Sequence, residues 1–181
     1  MKFFALALSF LLTACSAQSD APQVTLGVIV GCDALSTISN SNEMPATELP
    51  CLTESGLTSE KYALNSIQGP FIINVWGSWC TACMEELPYF VELNATKVVQ
   101  IIGLDVEEAK ASDAITFAKK HGMAWPQIHD PNSATRGDFG MGVPVTWFVD
   151  KNGHVTNKKV GQIHSFVELK GLLKTHLGIS A

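Results

Sequence analysis

Two cysteines separated by two residues, Cys80 and Cys83, directly follow a run of apolar residues, and this arrangement constrains the fold more than any other part of the chain. The run from Phe71 to Trp76 is rich in β-branched and aromatic residues, which is typical of a buried strand. The residues after Cys80 suit a helix, with Glu85 and Glu86 in its early turns, where the helix dipole favours negative charge. We therefore expect both thiols where a strand gives way to a helix.

Thiols at the start of a helix face backbone N–H groups without helical partners, and these groups stabilise the thiolate. The thiolate is the form that attacks a disulfide, and a second thiol nearby can resolve the mixed disulfide that forms. The same spacing also occurs in zinc sites and in purely structural bridges. Because Trp79 precedes the pair and a strand-to-helix transition surrounds it, we expect a redox-active disulfide of Cys80 and Cys83, with no metal and no cofactor.

Length and charge exclude several classes of protein. The chain has 181 residues, enough for one domain with a substantial core and a short extension, but too few for two ordinary domains. Its formal net charge is -5, and Lys and Arg do not cluster. No nucleic-acid partner is expected.

The first fourteen residues differ in composition from the rest of the chain. A positive start at Lys2 precedes the apolar run Phe3 to Leu12, which is too short for a stable membrane span and is typical of a signal peptide. Leu-Thr-Ala-Cys at 12–15 resembles the bacterial lipobox, in which the cysteine is lipidated and becomes the mature N-terminus. We expect a signal peptide at 1–14, a lipidated Cys15 that anchors the protein to the extracytoplasmic side of a cell membrane, and then a small, polar tether. The alternative is an ordinary signal peptide cleaved near Ala14 or Ala17.

Five cysteines occur in the chain. With Cys15 assigned to lipid and Cys80 with Cys83 to catalysis, Cys32 and Cys51 remain. An exported chain lives in an oxidising compartment, so we expect these two to form a structural disulfide, which would stabilise the fold by about 3 kcal/mol. A zinc site made of all four non-lipidated cysteines is the alternative, but it lacks a second Cys-x-x-Cys.

From Ala46 onward, short apolar runs alternate with amphipathic stretches. Turn residues at 150–153 indicate a hairpin, and Ser112 and Ser165 are predicted helix N-caps. The pattern predicts a mixed sheet with helices on both faces, within one domain at 46–181 that follows an extension at 15–45. The predicted strands are 71–76, 98–104, 145–149 and 154–160, and the predicted helices are 83–93, 112–120 and 165–177.

Three stretches carry a resemblance to a known family. They are Asn-Val-Trp-Gly-Ser-Trp-Cys-Thr-Ala-Cys at 74–83, Glu-Leu-Pro at 86–88 and Gly-Val-Pro-Val-Thr-Trp-Phe-Val-Asp at 142–150. These stretches resemble the thioredoxin fold, and within it the TlpA/ResA-like extracytoplasmic thiol-disulfide oxidoreductases. The resemblance runs from about Ala46 to the C-terminus. It implies an α/β fold with a thioredoxin-like mixed sheet flanked by helices, and the family's helical insertion between Val98 and Asp138. Leu-Pro-Cys-Leu at 49–52 resembles a stretch of actinobacterial members that have a second upstream cysteine, which supports an extension stapled by Cys32 and Cys51.

The resemblance also implies roles for single residues. Pro144 is expected to be cis and to face the cysteine pair, although an ordinary strand-edge proline is the alternative. The Val143 backbone would then pair with an extended substrate, and Trp79 would form a partly exposed wall beside Cys80. Glu86 lies on the same helical face as Cys83 and is assigned proton transfer or tuning of the thiol pKa; the alternative is a plain helix-start charge like Glu85.

These expectations combine into a functional hypothesis. The chain is expected to be a lipid-anchored dithiol enzyme that reduces disulfides of exported proteins, with apocytochrome c among the substrates that the resemblance implies. Its partners would be disulfide- or dithiol-bearing exported proteins and a membrane electron donor of the thiol-disulfide type. A thiol oxidase or isomerase of the same fold, and a metal-delivery module that uses Cys80 and Cys83, remain open as alternatives.

Overall fold

The computed structural model describes residues 27–38, 43–140 and 142–181. The predicted signal peptide at 1–14, Cys15 and the first part of the tether lie outside the described residues. No helix in the described ranges is long and apolar enough to cross a membrane.

Seven strands form one mixed sheet in the order β2-β1-β5-β4-β3-β6-β7. The central strands β3, β4 and β5 run parallel, and β1, β2, β6 and β7 join with antiparallel pairing on the two sides. The strands are β1 Glu48–Thr53, β2 Gly56–Ala63, β3 Phe71–Trp76, β4 Gln100–Val106, β5 Gln127–Asp130, β6 Val145–Val149 and β7 Val155–Val160; the helices are α1 Thr81–Thr96, α2 Ala111–Lys120, α3 Arg136–Phe139 and α4 Phe166–Leu177.

The strand β3 lies in the middle of the sheet, and all six of its residues are buried, which agrees with the apolar run in the sequence. Its side chains alternate between the faces, because successive residues of a strand point to opposite sides. Ile72 and Trp76 pack with the three long helices α1, α2 and α4, whereas Ile73 and Val75 face the other side. On that other side the covering elements are short: a 3-10 turn at Cys32–Ala34 followed by Leu35, a second 3-10 turn at Leu64–Ser66, and Phe139 of α3.

The N-terminal extension is packed onto the sheet. Cys32 and Cys51 form a disulfide, as the sequence predicted, with a Cα–Cα distance of 6.1 Å. Both residues are buried, and Cys51 lies in β1 opposite Ile128 of β5. Val30 and Thr37 make isolated bridges to Pro126 and Ile67. The disulfide therefore attaches the extension to the side of the sheet that β1 and β5 form.

Local capping signals had different outcomes. Ser165 caps α4 as predicted, since its Oγ accepts a hydrogen bond from the Glu168 N–H at 3.0 Å. The prediction for Ser112 was wrong: α2 begins at Ala111 after an extended Lys110, and the Ser112 hydroxyl lies 3.3 Å from Asp113 Oδ1. The β1–β2 hairpin and β5 were not predicted, because β2 is largely exposed and β5 has only four residues.

Candidate active site

Cys80 and Cys83 lie at the predicted transition from strand to helix. The strand β3 ends at Trp76, and Cys80 is the N-cap of α1, where its Sγ accepts a hydrogen bond from the Cys83 N–H at 3.0 Å. The two residues form a disulfide with a Cα–Cα distance of 5.2 Å. Cys80 is 7% exposed and Cys83 is fully buried. Any partner therefore meets Cys80 before Cys83, and the helix N-terminus stabilises negative charge on the Cys80 sulfur.

Trp79 forms the exposed wall beside the pair that the sequence predicted. Its side chain is 53% exposed. The indole lies against Gly77, where an added Cβ would come within 2.6 Å of Trp79 Nε1. Glycine at position 77 thus allows the ring to fold over the loop that leads into Cys80.

A pocket of about 50 Å³ opens next to Trp79. Its apolar lining comes from Val75, Val106, Phe139 and Val143, and its rim carries the ion pair of Arg136 Nη1 and Glu107 Oε1 at 3.3 Å. The pocket is small and largely apolar, so it suits one apolar side chain of a partner better than a charged one.

The carboxylate of Asp130 organises one wall of this pocket. Asp130 is buried at the end of β5, and its Oδ2 accepts hydrogen bonds from the Thr135 N–H at 2.8 Å and the Thr135 hydroxyl at 2.7 Å. Its Oδ1 accepts from the Ala134 N–H at 2.8 Å, and its backbone oxygen accepts from the Glu107 N–H at 3.2 Å. Both Glu107 and Ser133 have positive φ angles, of 57° and 54°, which few non-glycine residues adopt.

Pro144 and Val143 come to the same edge of the sheet. The Val143–Pro144 peptide bond is cis. The next residue, Val145, begins β6 and lies opposite Val75 of β3, so residues 143–144 lie alongside the loop that follows β3. Val143 lines the pocket together with Trp79. The Pro144 carbonyl accepts a hydrogen bond from the Gly161 N–H at 3.0 Å, which ties this turn to the end of β7.

Glu86 is fully buried, so it is not a helix-start surface charge. Its Oε1 accepts a hydrogen bond from Asn74 Nδ2 at 2.7 Å, and its Oε2 accepts from the Ile163 N–H at 2.9 Å. Burial raises the pKa of Glu86 to about 7, although the two hydrogen bonds and Lys159 act in the opposite direction. Glu85, by contrast, is exposed and bonds to the Gln162 amide. A buried carboxyl that titrates near neutral pH, on the helical face of Cys83, is suited to exchanging protons.

Besides Asp130, sequence reasoning missed two further acidic groups at this edge. Glu108 Oε2 accepts a hydrogen bond from the Ser78 N–H at 3.1 Å and so holds the loop before Cys80. Asp105 and His129 form a buried pair, with Oδ2 and Nδ1 2.5 Å apart, and burial raises the pKa of Asp105 to about 6. The sequence did contain a signal for them. These residues lie at or just beyond the carboxyl ends of parallel strands, and Cys80 follows the carboxyl end of the neighbouring parallel strand β3, so all of them come to the same edge of the sheet.

The structure thus brings six of the predicted residues to one edge of the sheet and separates the others. Cys32 and Cys51 lie on the far side, because β1 is three strands from β3 in the sheet order. Cys15 lies outside the described residues. The six residues at the edge are Trp79, Cys80, Cys83, Glu86, Val143 and Pro144.

Comparisons with known proteins agree with this arrangement. The profile of the AhpC/TSA family matches residues 41–158. The thiol-disulfide oxidoreductase ResA of Bacillus anthracis is 31% identical over 132 residues, which cover 70% of this chain and 75% of that protein. The thiol:disulfide interchange protein DsbE of Allochromatium vinosum is 28% identical over 125 residues, with coverages of 68% and 67%.

A solved structure is similar in fold. The secreted Mycobacterium tuberculosis disulfide oxidoreductase that is homologous to E. coli DsbE superposes with a TM-score of 0.60 at 21% identity, and the match covers 72% of this chain and 96% of that one. The expected thioredoxin-like fold is thereby confirmed. The chain belongs to the AhpC/TSA family, and it is a thioredoxin-fold thiol-disulfide oxidoreductase of the ResA and DsbE type.

Proposed function

We propose that this protein uses Cys80 and Cys83 to reduce disulfides of exported proteins while a lipid on Cys15 holds it at the extracytoplasmic side of a cell membrane. The observation that carries the redox assignment is the Cys80–Cys83 disulfide at the N-terminus of α1, with Cys80 Sγ as the acceptor of the Cys83 N–H. Among the cysteines that the structure describes, this pair alone lies beside an exposed aromatic residue and a pocket.

The reaction begins from the dithiol form. The Cys80 thiolate attacks one sulfur of the substrate disulfide, so a Cys80–substrate bond forms while the substrate bond breaks and its other sulfur leaves as a thiolate. Cys83 then attacks Cys80, releases the second substrate sulfur and closes the Cys80–Cys83 disulfide. The substrate gains two electrons and the enzyme loses two, so a dithiol donor must reduce the pair again; we assign this step to a thiol-disulfide partner at the membrane.

Glu86 is proposed to handle the proton of Cys83. Cys83 must lose its proton before it can attack, yet it is fully buried, and water has little access to it. Glu86 lies three positions further along α1, on the same face, and its raised pKa of about 7 lets it both take and return a proton.

The substrate is proposed to lie across Trp79 and Val143. The pocket between these residues would take an apolar side chain next to the substrate cysteine, and the Val143 backbone next to Pro144 would pair with an extended segment. Relatives named ResA and DsbE make a role in cytochrome c maturation the favoured setting, and apocytochrome c the favoured substrate class.

Trapping of the mixed disulfide tests the assignment of the two cysteines. Cys83→Ala should accumulate a covalent adduct with a disulfide-bearing partner, and peptide mapping should place it on Cys80. The Cys80→Ala variant should form no such adduct, because the remaining thiol is buried. An adduct on Cys83 in Cys80→Ala, together with none on Cys80 in Cys83→Ala, would reverse the roles.

The reduction potential tests the direction of the reaction. A value near that of thioredoxin, about -270 mV, supports a reductase, whereas a value near that of the oxidant DsbA, about -120 mV, supports the oxidase alternative. Equilibration of the wild-type protein with a dithiol couple of known potential, followed by thiol alkylation, gives this number.

A further inference from the structure

The Asn74 carboxamide has one partner and one unused acceptor. Its side chain is completely buried, and its Nδ2 donates to Glu86 Oε1 at 2.7 Å. Its Oδ1 is buried without a hydrogen-bond partner among the described residues. A buried acceptor without a partner costs free energy, so its retention at this place calls for an explanation.

A second unused group lies on the neighbouring strand. Thr146 of β6 is the residue directly opposite Asn74 of β3. Its Oγ1 is also buried without a partner among the described residues. Residues that oppose each other in an antiparallel pair point to the same face, with Cβ atoms about 5 Å apart. The two residues are therefore neighbours on the face that α1 and Glu86 cover, but their unpartnered oxygens do not bond to each other, so the Thr146 side chain must turn before its hydroxyl reaches the Asn74 carboxamide.

Both hydrogen-bond partners of Glu86 are donors, which matches its ionised form. Both carboxylate oxygens accept, one from Asn74 Nδ2 and the other from the Ile163 N–H. Once Glu86 is protonated, its O–H must donate to an acceptor, and neither of these two nitrogens can accept. Half a turn of the Asn74 carboxamide about its Cβ–Cγ bond would exchange Nδ2 for Oδ1 and provide that acceptor.

We propose that Asn74 is a two-state positioning residue: its Nδ2 donates to ionised Glu86, and after protonation its carboxamide turns so that Oδ1 accepts the Glu86 O–H. The Thr146 side chain turns about its Cα–Cβ bond at the same time, so that its Oγ1 accepts from Nδ2. This inference rests on the proposed role of Glu86 as the proton acceptor of Cys83. When that proton moves, the Cys83 S–H bond breaks and a Glu86 O–H bond forms. The turn of Asn74 gives the new acid an acceptor, and the turn of Thr146 gives the Asn74 amide one.

Few charged groups compete for control of Glu86. Lys159 of β7 lowers its pKa and Glu168 of α4 raises it, and these two side chains pair with each other at 3.6 Å. The strands β3 and β6 contain no charged residue, and Cys83 of α1 is held in the disulfide. In the oxidised protein the uncharged Asn74 and Thr146 are thus the groups on these strands that can respond to protonation.

Nuclear magnetic resonance of the oxidised full chain tests the turn directly, because Cys83 cannot titrate in that state. The side-chain NH₂ of Asn74 should show nuclear Overhauser effects to the Glu86 methylenes at high pH and to the Thr146 methyl at low pH. The change should have the same midpoint as the ¹³C titration of the Glu86 carboxyl. An Asn74 pattern that stays constant through the Glu86 titration would overturn the proposal.

Glu86→Gln supplies a permanent mimic of the protonated state. The new side-chain oxygen can still accept from the Ile163 N–H, and its NH₂ must then donate to Asn74 Oδ1. Asn74 should therefore show the low-pH pattern at every pH in this variant. Retention of the high-pH pattern would contradict the two-state assignment.

The Thr146 hydroxyl is tested by an isosteric change and a matched control. Thr146→Val removes the acceptor of the turned amide, so the Glu86 midpoint should fall by roughly 0.5 to 1 pH unit, the range that one neutral hydrogen bond supplies. Thr156→Val removes a hydroxyl that bonds to the Phe148 carbonyl on β6, and it should leave the midpoint unchanged. Equal midpoints in both variants would overturn the part assigned to Thr146.

Failure of this inference and failure of the proposed function give different results. If Asn74 does not turn, the cysteine-trapping experiment still yields the adduct on Cys80. If the thiol assignment fails, the adduct is absent whatever the orientation of Asn74.

Discussion

At the scale of single residues, two buried carboxyl groups make this protein sensitive to pH. Burial raises the pKa of Glu86 to about 7 and that of Asp105 to about 6, from usual values of 4.5 and 3.8. Between the usual and the raised values, the folded state binds more protons than the unfolded state. The stability that each group contributes is therefore complete below its usual pKa and is lost as the pH rises through the raised one.

Replacement of Glu86 should flatten this dependence. In the wild-type protein the free energy of unfolding should decline between about pH 4.5 and pH 7, and Glu86 should account for a loss on the order of 3 kcal/mol. Glu86→Gln cannot ionise, so the part of the slope that comes from Glu86 should vanish while the part from Asp105 remains. Urea unfolding of the oxidised protein at several pH values measures this, and identical slopes for both proteins would contradict the assignment.

At the scale of elements, capping decides where the helices begin. Ser165 Oγ accepts from the Glu168 N–H, and Glu168 Oε2 accepts from the His164 N–H at 2.8 Å, so two backbone donors at the start of α4 are satisfied reciprocally. Ser112, the other predicted N-cap, has Ile115 and not a glutamate three residues later, and it caps nothing: its hydroxyl lies beside Asp113 on the exposed first turn of α2.

This difference predicts unequal effects of the same substitution. Ser165→Ala should lower the free energy of unfolding by about 1 kcal/mol, because one N–H at the start of α4 loses its acceptor. Ser112→Ala is the matched control and should change stability by less than about 0.5 kcal/mol. Denaturant unfolding of both variants checks this. A larger loss in Ser112→Ala than in Ser165→Ala would contradict the capping found here.

At the scale of the whole molecule, the two disulfides among the described residues lie in separate parts of the sheet. The Cys80–Cys83 pair lies at the carboxyl end of β3, whereas the Cys32–Cys51 bridge joins the extension to β1, three strands away in the sheet. Cys32 and Cys51 are both buried, so we assign their disulfide a structural role and no part in turnover.

Removal of the Cys32–Cys51 bridge should therefore affect stability alone. The double variant Cys32→Ser, Cys51→Ser should lose about 3 kcal/mol of unfolding free energy, since the unfolded chain is no longer cross-linked. Its thiol-exchange rate at a temperature where it is folded should stay close to that of the wild-type protein. Loss of that rate in fully folded protein would show that the bridge takes part in catalysis.

The proposed anchor is also a property of the whole molecule. Cys15→Ser should move the protein from the membrane fraction to the soluble fraction of cells and abolish incorporation of labelled fatty acid. Cys32→Ser serves as a control that removes a cysteine without touching the proposed lipid site. Unchanged fractionation and labelling of Cys15→Ser would refute lipid anchoring.

The sequence by itself determined the features that depend on neighbours along the chain. The buried strand 71–76, the helix that follows Cys80, the hairpin at 150–153 and the Ser165 cap follow from local patterns, because hydrophobic periodicity and turn chemistry act over a few residues. Because residues 80–83 form the first turn of that helix, the spacing of Cys80 and Cys83 also brings their two sulfurs within bonding distance. The cysteine pair and its helix could therefore be predicted without a structure.

Only the tertiary structure decided how the surroundings of that pair are built. Glu86 gains its burial and its partners from Asn74 and from Ile163, which is 77 residues away in sequence. The pocket beside Trp79 combines residues from β3, from the end of β4 and from the stretch 133–143. The pKa of a carboxyl depends on desolvation and on hydrogen bonds from distant segments, and sequence spacing contains neither. Packing of the long helices on one face of the sheet sets both, and it thereby turns an ordinary helix glutamate into a group that titrates near neutral pH.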